Sequence, residues 1–215
     1  MINVMLVDDH DLVRTGIRRL LDDIDGIKVV AEAVDGEQAI RQVRNKRPDV
    51  ILMDVSMPGI GGLEATRKIT RSLPDMKIIA VTIHDNDPFP ARLLEAGAAG
   101  YITKGSDIRE IISAIRSVHQ GKQYITPGIA QKLALSFVNN RERSPFAELT
   151  QRETQVMLMV VQGDTNKEIS EQLCLSPKTT STYRYRLFEK LGVDNDVELT
   201  RLAMRHGLIK ENIIH

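Results

Sequence analysis

Asn3-Val4-Met5-Leu6-Val7-Asp8-Asp9-His10 is an apolar run closed by two acids. The apolar part alternates little, as expected of a strand buried on both faces of a parallel sheet. No basic region precedes it and two carboxylates follow, so it reads neither as a secretion signal nor as a membrane span. A dinucleotide-binding strand would run into glycines, and acids in that place would repel a pyrophosphate.

Runs of the same kind recur at 28–33, 50–54, 77–82 and 100–103. Amphipathic helical patterns separate them: Leu12, Ile17, Leu20, Leu21 and Ile24; then Ala39, Ile40 and Val43; then Leu63, Ile69 and Leu73; then Leu93, Leu94 and Ala96. Ile108, Ile111, Ile112, Ile115 and Val118 make the fifth and cleanest stripe. Pro88 and Pro90 remove amide donors near the start of the fourth helix and predict a short, loosely held one. Five strand–helix units predict an α/β domain over 1–121, a five-stranded doubly wound parallel sheet. Functional loops in such a sheet collect at the carboxyl ends of the strands.

Residues 122–145 read as a linker with a helix over 129–138 and a polar end, Asn139-Asn140-Arg141-Glu142-Arg143-Ser144-Pro145. Beyond it the strand pattern stops. Thr150-Gln151-Arg152-Glu153 is a capping box opening a helix that Gly163 ends. A second helix is predicted over 166–173. A third starts on Ser176-Pro177 and runs to Leu191 before Gly192. A fourth covers 197–205, ended by Gly207. Residues 146–215 are thus expected to form a small all-α domain containing a helix-turn-helix.

Of the 215 residues, 42% are apolar and 27% charged, an ordinary globular composition. No later apolar stretch approaches bilayer length, so a cytoplasmic protein without membrane contact is expected. The single cysteine, Cys174, excludes an internal disulfide and a cysteine zinc site, and between two leucines it reads as a small buried hydrophobe. Net charge is zero, and residues 146–215 hold nine Lys/Arg against ten Asp/Glu. A case for DNA binding must therefore rest on where charges sit.

Asp8 and Asp9 follow the first strand and Asp54 ends the third; with those strands adjacent, three carboxylates meet at one edge. Such a cluster needs a cation, and oxygen-only ligation suits Mg2+. Thr82 ends the fourth strand and Lys104 follows the fifth. A hydroxyl, an ammonium and a metal around one carboxylate can hold phosphoryl oxygens. A lone strand-end Asp is more often a helix cap, but four strand ends in order are not explained that way. No phosphate-binding Gly-rich loop with Lys-Ser/Thr occurs, and Ser56 stands where an aspartate-dependent phosphatase would carry a second Asp.

Val7-Asp8-Asp9-His10, Leu52-Met53-Asp54-Val55-Ser56-Met57-Pro58-Gly59, Val81-Thr82 and Gly100-Tyr101-Ile102-Thr103-Lys104 closely resemble the flavodoxin-like receiver domains of two-component response regulators. The resemblance implies that Asp54 is the phosphoacceptor and that Asp9, Asp54 and the Ser56 carbonyl bind the metal, with Asp8 assisting. It implies that Thr82 contacts the phosphoryl oxygen, Lys104 pairs with the phosphoryl group, and Tyr101 rotates inward. Gly105 departs from the proline common after that lysine.

In the third C-terminal helix Thr180, Arg184, Leu187 and Leu191 share the packed side, with Tyr183 at its margin. Lys178, Ser181, Thr182, Tyr185 and Arg186 face away, as suits a recognition helix. Ser181 and Thr182 are placed for base edges, and Lys178 and Arg186 for phosphates. Leu149-Thr150-Gln151-Arg152-Glu153, Asn166-Lys167-Glu168-Ile169-Ser170 and Leu175-Ser176-Pro177-Lys178-Thr179 resemble the LuxR-type domain of the NarL/FixJ family, which adds Thr179 to the candidate DNA contacts. Departures at Ser181, Tyr183 and Tyr185 reassign part of that surface.

Ser56-Met57-Pro58-Gly59-Ile60-Gly61-Gly62-Leu63, Tyr183-Arg184-Tyr185-Arg186 and Asp196-Val197-Glu198-Leu199-Thr200 are similar to the GacA/UvrY global-activator subgroup. That similarity implies a hybrid sensor histidine kinase as phosphodonor and promoters of small regulatory RNAs as targets. RNA polymerase is an expected partner, and phosphorylation is expected to shift the population toward a homodimer. The chain would catalyse only transfer to its own aspartate. A competing reading makes the helical domain a phosphorylation-controlled protein- or RNA-binding adaptor. RNA readers usually stack bases on aromatics, and the exposed side of this helix offers few rings, Tyr185 with Tyr183 at its margin.

Overall fold

The computed structural model describes residues 1–82, 89–138, 145–206 and 208. The expected linker residues 139–144, Pro88 and Gly207 lie outside them. The chain divides into two compact units, and the first extends as far as Leu133.

The first unit is built on a six-stranded sheet in the order β2-β1-β3-β4-β5-β6. β1 is Ile2–Val7, β2 Ile27–Ala33, β3 Val50–Asp54, β4 Lys77–Thr82 and β5 Gly100–Thr103. Every pairing is parallel. The sixth strand, Tyr124–Ile125, corrects the five-stranded expectation: it pairs with β5 through Gly100↔Tyr124 and Tyr101↔Ile125. Two residues carry no periodicity, and only the partner strand defines them as a strand.

Helices α1 (Asp11–Asp22), α2 (Gly36–Lys46), α3 (Gly61–Ser72), α4 (Phe89–Glu95) and α5 (Ile108–His119) connect the strands. α4 is short, as the prolines suggested, with seven residues. α6 (Pro127–Val138) follows β6. Alternation along the strands feeds two cores. Val4, Leu6, Leu52, Val81 and Ile102 pack with Leu21 of α1 and Ile111, Ile115 and Val118 of α5. Met5, Val7, Ile51, Met53 and Ile78 pack with Ala39 and Val43 of α2 and Ala65 and Ile69 of α3. Each core residue removes apolar area from water at roughly 25 cal/mol per Å2. With both sheet faces covered, the chemistry is confined to the strand ends.

The second unit is helical: a 3-10 turn Pro145–Glu148, then α7 (Gln151–Gln162), α8 (Asn166–Gln172), α9 (Pro177–Leu191) and α10 (Asp196–Arg205). The capping box at Thr150 forms, the Thr150 amide donating to Glu153 Oε2 at 2.7 Å. A second box, Thr165 with Glu168, starts α8. Ser176 caps α9, and Gly192 closes it in the left-handed region at φ 63°. Phe146, Val156, Met157, Ile169, Leu187, Leu199 and Ala203 are fully buried between these helices. Cys174 is exposed, against expectation. It takes φ 52° in the turn after α8, and that backbone turn sends Leu173 inward (2% exposed) and the thiol outward. Among the described residues no helix is long and apolar enough to cross a membrane.

Candidate functional site

β1 and β3 are neighbours in the sheet, where the strand order reverses direction, and ligands bind at such a switch point. The register Val7↔Met53 brings Asp8 and Asp54 to the same edge. Asp54 is 1% exposed and Asp8 is 5% exposed. Ligand atoms of Asp8, Asp9, His10 and Asp54 all lie within 4.8 Å of one another, a group that could hold a metal ion.

Lys104 reaches this group from the end of β5. Its Nζ lies 2.8 Å from Asp8 Oδ2 and 2.8 Å from Asp54 Oδ2. The other oxygen, Asp54 Oδ1, accepts the Ser56 amide at 3.0 Å. Burial, the largest influence, lifts the Asp54 carboxyl above the usual carboxylate range; Asp8 adds to the rise, while Lys104 and the Ser56 amide oppose it. Burial alone would lower the Lys104 ammonium, but the two carboxylates outweigh it and hold it above its ordinary value.

Asp9 Oδ1 is buried and accepts no hydrogen bond, although His10 Nδ1 lies 2.9 Å away. The Ser56 hydroxyl is likewise buried without a partner. Unsatisfied carboxylate oxygen is costly in a folded interior, and an oxygen-seeking divalent cation is the chemistry that this donor set fits. Thr82, at the end of β4, and Tyr101, second residue of β5, are fully buried.

The loop after Asp54 is held by close contacts. A Cβ on Gly62, at the start of α3, would meet the Asp54 carbonyl oxygen at 1.9 Å, so α3 packs directly on the backbone of Asp54. Gly59, at φ 70°, lies against the Glu37 carboxylate, which accepts the Ile60 amide at 3.1 Å. Glu37 stands 23 residues away at the start of α2, and no local motif announces that contact.

In the second unit α8 and α9 form the helix-turn-helix. Ser170 Oγ meets Thr180 Oγ1 at 2.9 Å in its buried interior. Thr180 and Leu187 face that interior, while Lys178, Ser181, Thr182, Tyr185 and Arg186 are all exposed. Thr179 is half-buried, and its hydroxyl lies 2.8 Å from Ser176 Oγ in the helix cap. Ser181 and Thr182 donate their hydroxyls to carbonyls of their own helix, at Pro177 and Lys178, both at 2.9 Å. Arg184 is paired with both oxygens of Asp196, at 2.5 and 2.6 Å, and lies over the Phe188 ring. Lys190 donates to buried Glu153 at 2.7 Å. Of the cations on α9, Lys178 and Arg186 have no carboxylate partner among the described residues.

A buried strand-end aspartate beside a lysine and an acid pair, followed by an exposed helix-turn-helix, defines a signal-receiving DNA-binding regulator. The chain belongs to the response regulators: residues 4–116 match the family described as response regulator receiver domain, and 147–203 the bacterial regulatory proteins of the luxR family. It is 60% identical over 209 residues to the response regulator UvrY of Escherichia coli, covering 97% of this chain and 96% of that one. It is 59% identical over 210 residues to the response regulator GacA of Pseudomonas viridiflava, covering 97% and 98%. Among solved structures, RcsB of Salmonella enterica serovar Typhimurium, bound to a promoter in the presence of the phosphomimetic BeF3-, is similar at TM-score 0.67 and 26% identity. That match covers 94% of this chain and 97% of the other. The LuxR-family assignment and the parallel α/β receiver agree with the sequence reading.

Proposed function

We propose that this response regulator is switched by phosphorylation of Asp54 and then binds promoter DNA to activate transcription. The observation that carries the proposal is Asp54 itself, buried at the end of β3 with one oxygen on Lys104 and the other on the Ser56 amide. A carboxylate oxygen of Asp54 attacks the phosphorus of a phosphohistidine on a hybrid sensor histidine kinase. The P–N bond breaks, and its electron pair returns to the imidazole, which takes up a proton. Asp9, Asp54 and the Ser56 carbonyl would hold Mg2+, which neutralises phosphoryl charge when bound, and Asp8 supports the arrangement. Lys104 exchanges its carboxylate partners for the phosphoryl oxygens, and Thr82 at the end of β4 and Tyr101 on β5 answer the new group.

Phosphorylation adds negative charge and acceptor oxygens at this edge, which shifts the population toward a homodimer presenting both helix-turn-helix domains. Lys178 and Arg186 meet backbone phosphates, and Thr179, Ser181, Thr182 and Tyr185 line the groove side. Similarity to GacA and UvrY supports promoters of small regulatory RNAs as targets, with RNA polymerase recruited there and the chain acting in the cytoplasm. The RcsB–promoter complexes support duplex DNA as the ligand.

Labelling by acetyl phosphate with Mg2+, followed by a gel shift on duplex DNA, tests both halves. Asp54→Asn should take up no label, and wild type should bind DNA more tightly after labelling. Normal labelling of Asp54→Asn overturns the site. Phosphorylated protein without duplex affinity returns the helical domain to the adaptor reading.

A further inference from the structure

Arg14 is the one charged side chain of α1 that the fold buries, at 8% exposure. Its guanidinium joins three elements. Nη1 donates to the Asp8 carbonyl at 2.7 Å, Nη2 to Asp11 Oδ1 at 2.6 Å and Nε to Glu32 Oε2 at 3.1 Å. Glu32, on β2, is gripped from its other oxygen by Arg18. A guanidinium presents its donors in one rigid plane, so three bonds to three elements fix that plane.

The carbonyl that Arg14 holds belongs to the peptide joining Asp8 to Asp9. A planar peptide transmits the orientation of its carbonyl to the next Cα. The Asp8 amide is already tied to the Ala33 carbonyl at 3.1 Å, and Asp8 Oδ1 accepts the His10 amide at 2.8 Å. The direction in which the Asp9 carboxylate leaves the chain is thereby set. That carboxylate keeps a buried oxygen with no hydrogen bond.

We propose that Arg14 is a positioning residue for divalent-cation binding, locking the Asp8–Asp9 peptide so that the Asp9 carboxylate is aimed before the cation arrives. This inference rests on the pocket being the metal site. A bare positive charge beside a cation site would repel the cation. Here Glu32 and Asp11 neutralise Arg14, so its geometric effect outweighs its charge. The two effects predict opposite signs on removal, which makes them separable.

The test is a calorimetric titration of the unphosphorylated full chain with Mg2+, beside its thermal midpoint. Arg14→Met keeps the apolar stem and removes the fork; it should weaken Mg2+ binding by about tenfold, the low end for outer-sphere changes at metal sites. Arg14→Lys keeps the charge without the fork and should weaken it nearly as much. Unchanged or tighter binding in both variants, whatever their midpoints, overturns the proposal. If neither folds, Glu32→Gln decides, with a smaller weakening in support and unchanged affinity against. Asp9→Ala tests the pocket separately: retained Mg2+ binding there removes the metal reading itself, irrespective of Arg14.

Discussion

Lys104 in the first unit and Lys190 in the second both place an ammonium against a buried carboxylate, at 2.8 and 2.7 Å. The carboxylates nevertheless shift in opposite directions. Burial raises both acids. For Asp54 it prevails, with Asp8 adding to it. For Glu153 burial is again the largest single influence, but Lys190 with the Thr150 amide and hydroxyl together hold the group below its ordinary range. The difference lies in company. Glu153 Oε2 takes both the Thr150 amide and the Lys190 ammonium, and no acid contributes to its shift. Asp54 shares its one ammonium with a second carboxylate and sits among unsatisfied oxygens. The satisfied cluster is scaffold, and the unsatisfied one is poised to take a ligand.

The comparison can be broken most severely at Gly62. Gly62→Ala drives a methyl into the Asp54 backbone and should cost stability at the upper end of the roughly 1–3 kcal/mol typical of overpacking, read from urea unfolding of the full chain. A neutral result would mean that α3 yields, and that the pocket floor is soft. Glu153→Gln comes next. It keeps a capping acceptor but leaves the Lys190 ammonium without its charge partner, and about 1–3 kcal/mol should be lost at pH 7. Because the folded Glu153 group titrates below the unfolded value of about 4.3, its contribution is complete above that pH. It disappears as pH falls through the folded value. The gap between wild type and variant should therefore close on acidification; a gap that widens would show the pair to be misread.

Smaller effects test what the second unit leaves for DNA. Lys178→Ala and Arg186→Ala should each reduce the salt slope of duplex binding by about one unit. Arg184→Ala should leave the slope unchanged, since Asp196 already holds that guanidinium. Equal slopes for all three would erase the distinction between paired and available cations. Smallest of all is Ser181→Ala. Its hydroxyl donates to its own helix, so sequence discrimination should fall by less than the roughly 1–3 kcal/mol of a full base contact, with Tyr185→Ala the larger loss. Competition between cognate and scrambled duplexes measures both.

Recurring short apolar runs between amphipathic stretches exposed the sheet, and acids ending two of its strands exposed the pocket, because both signals are local and repeat. Capping chemistry likewise marked α7 and α9 to within the residue. What stayed hidden depends on distant partners. Arg14 is one more cation in a helix until β1 and β2 close around it. Glu37 is a first-turn acid until the loop at Gly59 arrives. Helical spacing puts Arg184 on the inner side, but its bond to Asp196 spans 12 positions with no periodic signature. Cys174 stands between leucines that suggest burial, but its left-handed backbone reverses the side chain's direction.

The two-residue strand β6 has a meaning for how the chain behaves among its own copies. It occupies the hydrogen-bonding edge of β5, a strand otherwise buried from Gly100 to Ile102. A long open strand edge is a template for pairing with a stranger, and nature blunts it with short, irregular outer strands. Tyr124–Ile125 is such a guard: too brief to recruit a further strand, yet paired with Gly100 and Tyr101 in the first half of β5. Cutting the domain at Gly121, where helical periodicity ends, would strip the guard and leave β5 open to intermolecular pairing. Keeping Tyr124 and Ile125 would preserve a soluble receiver.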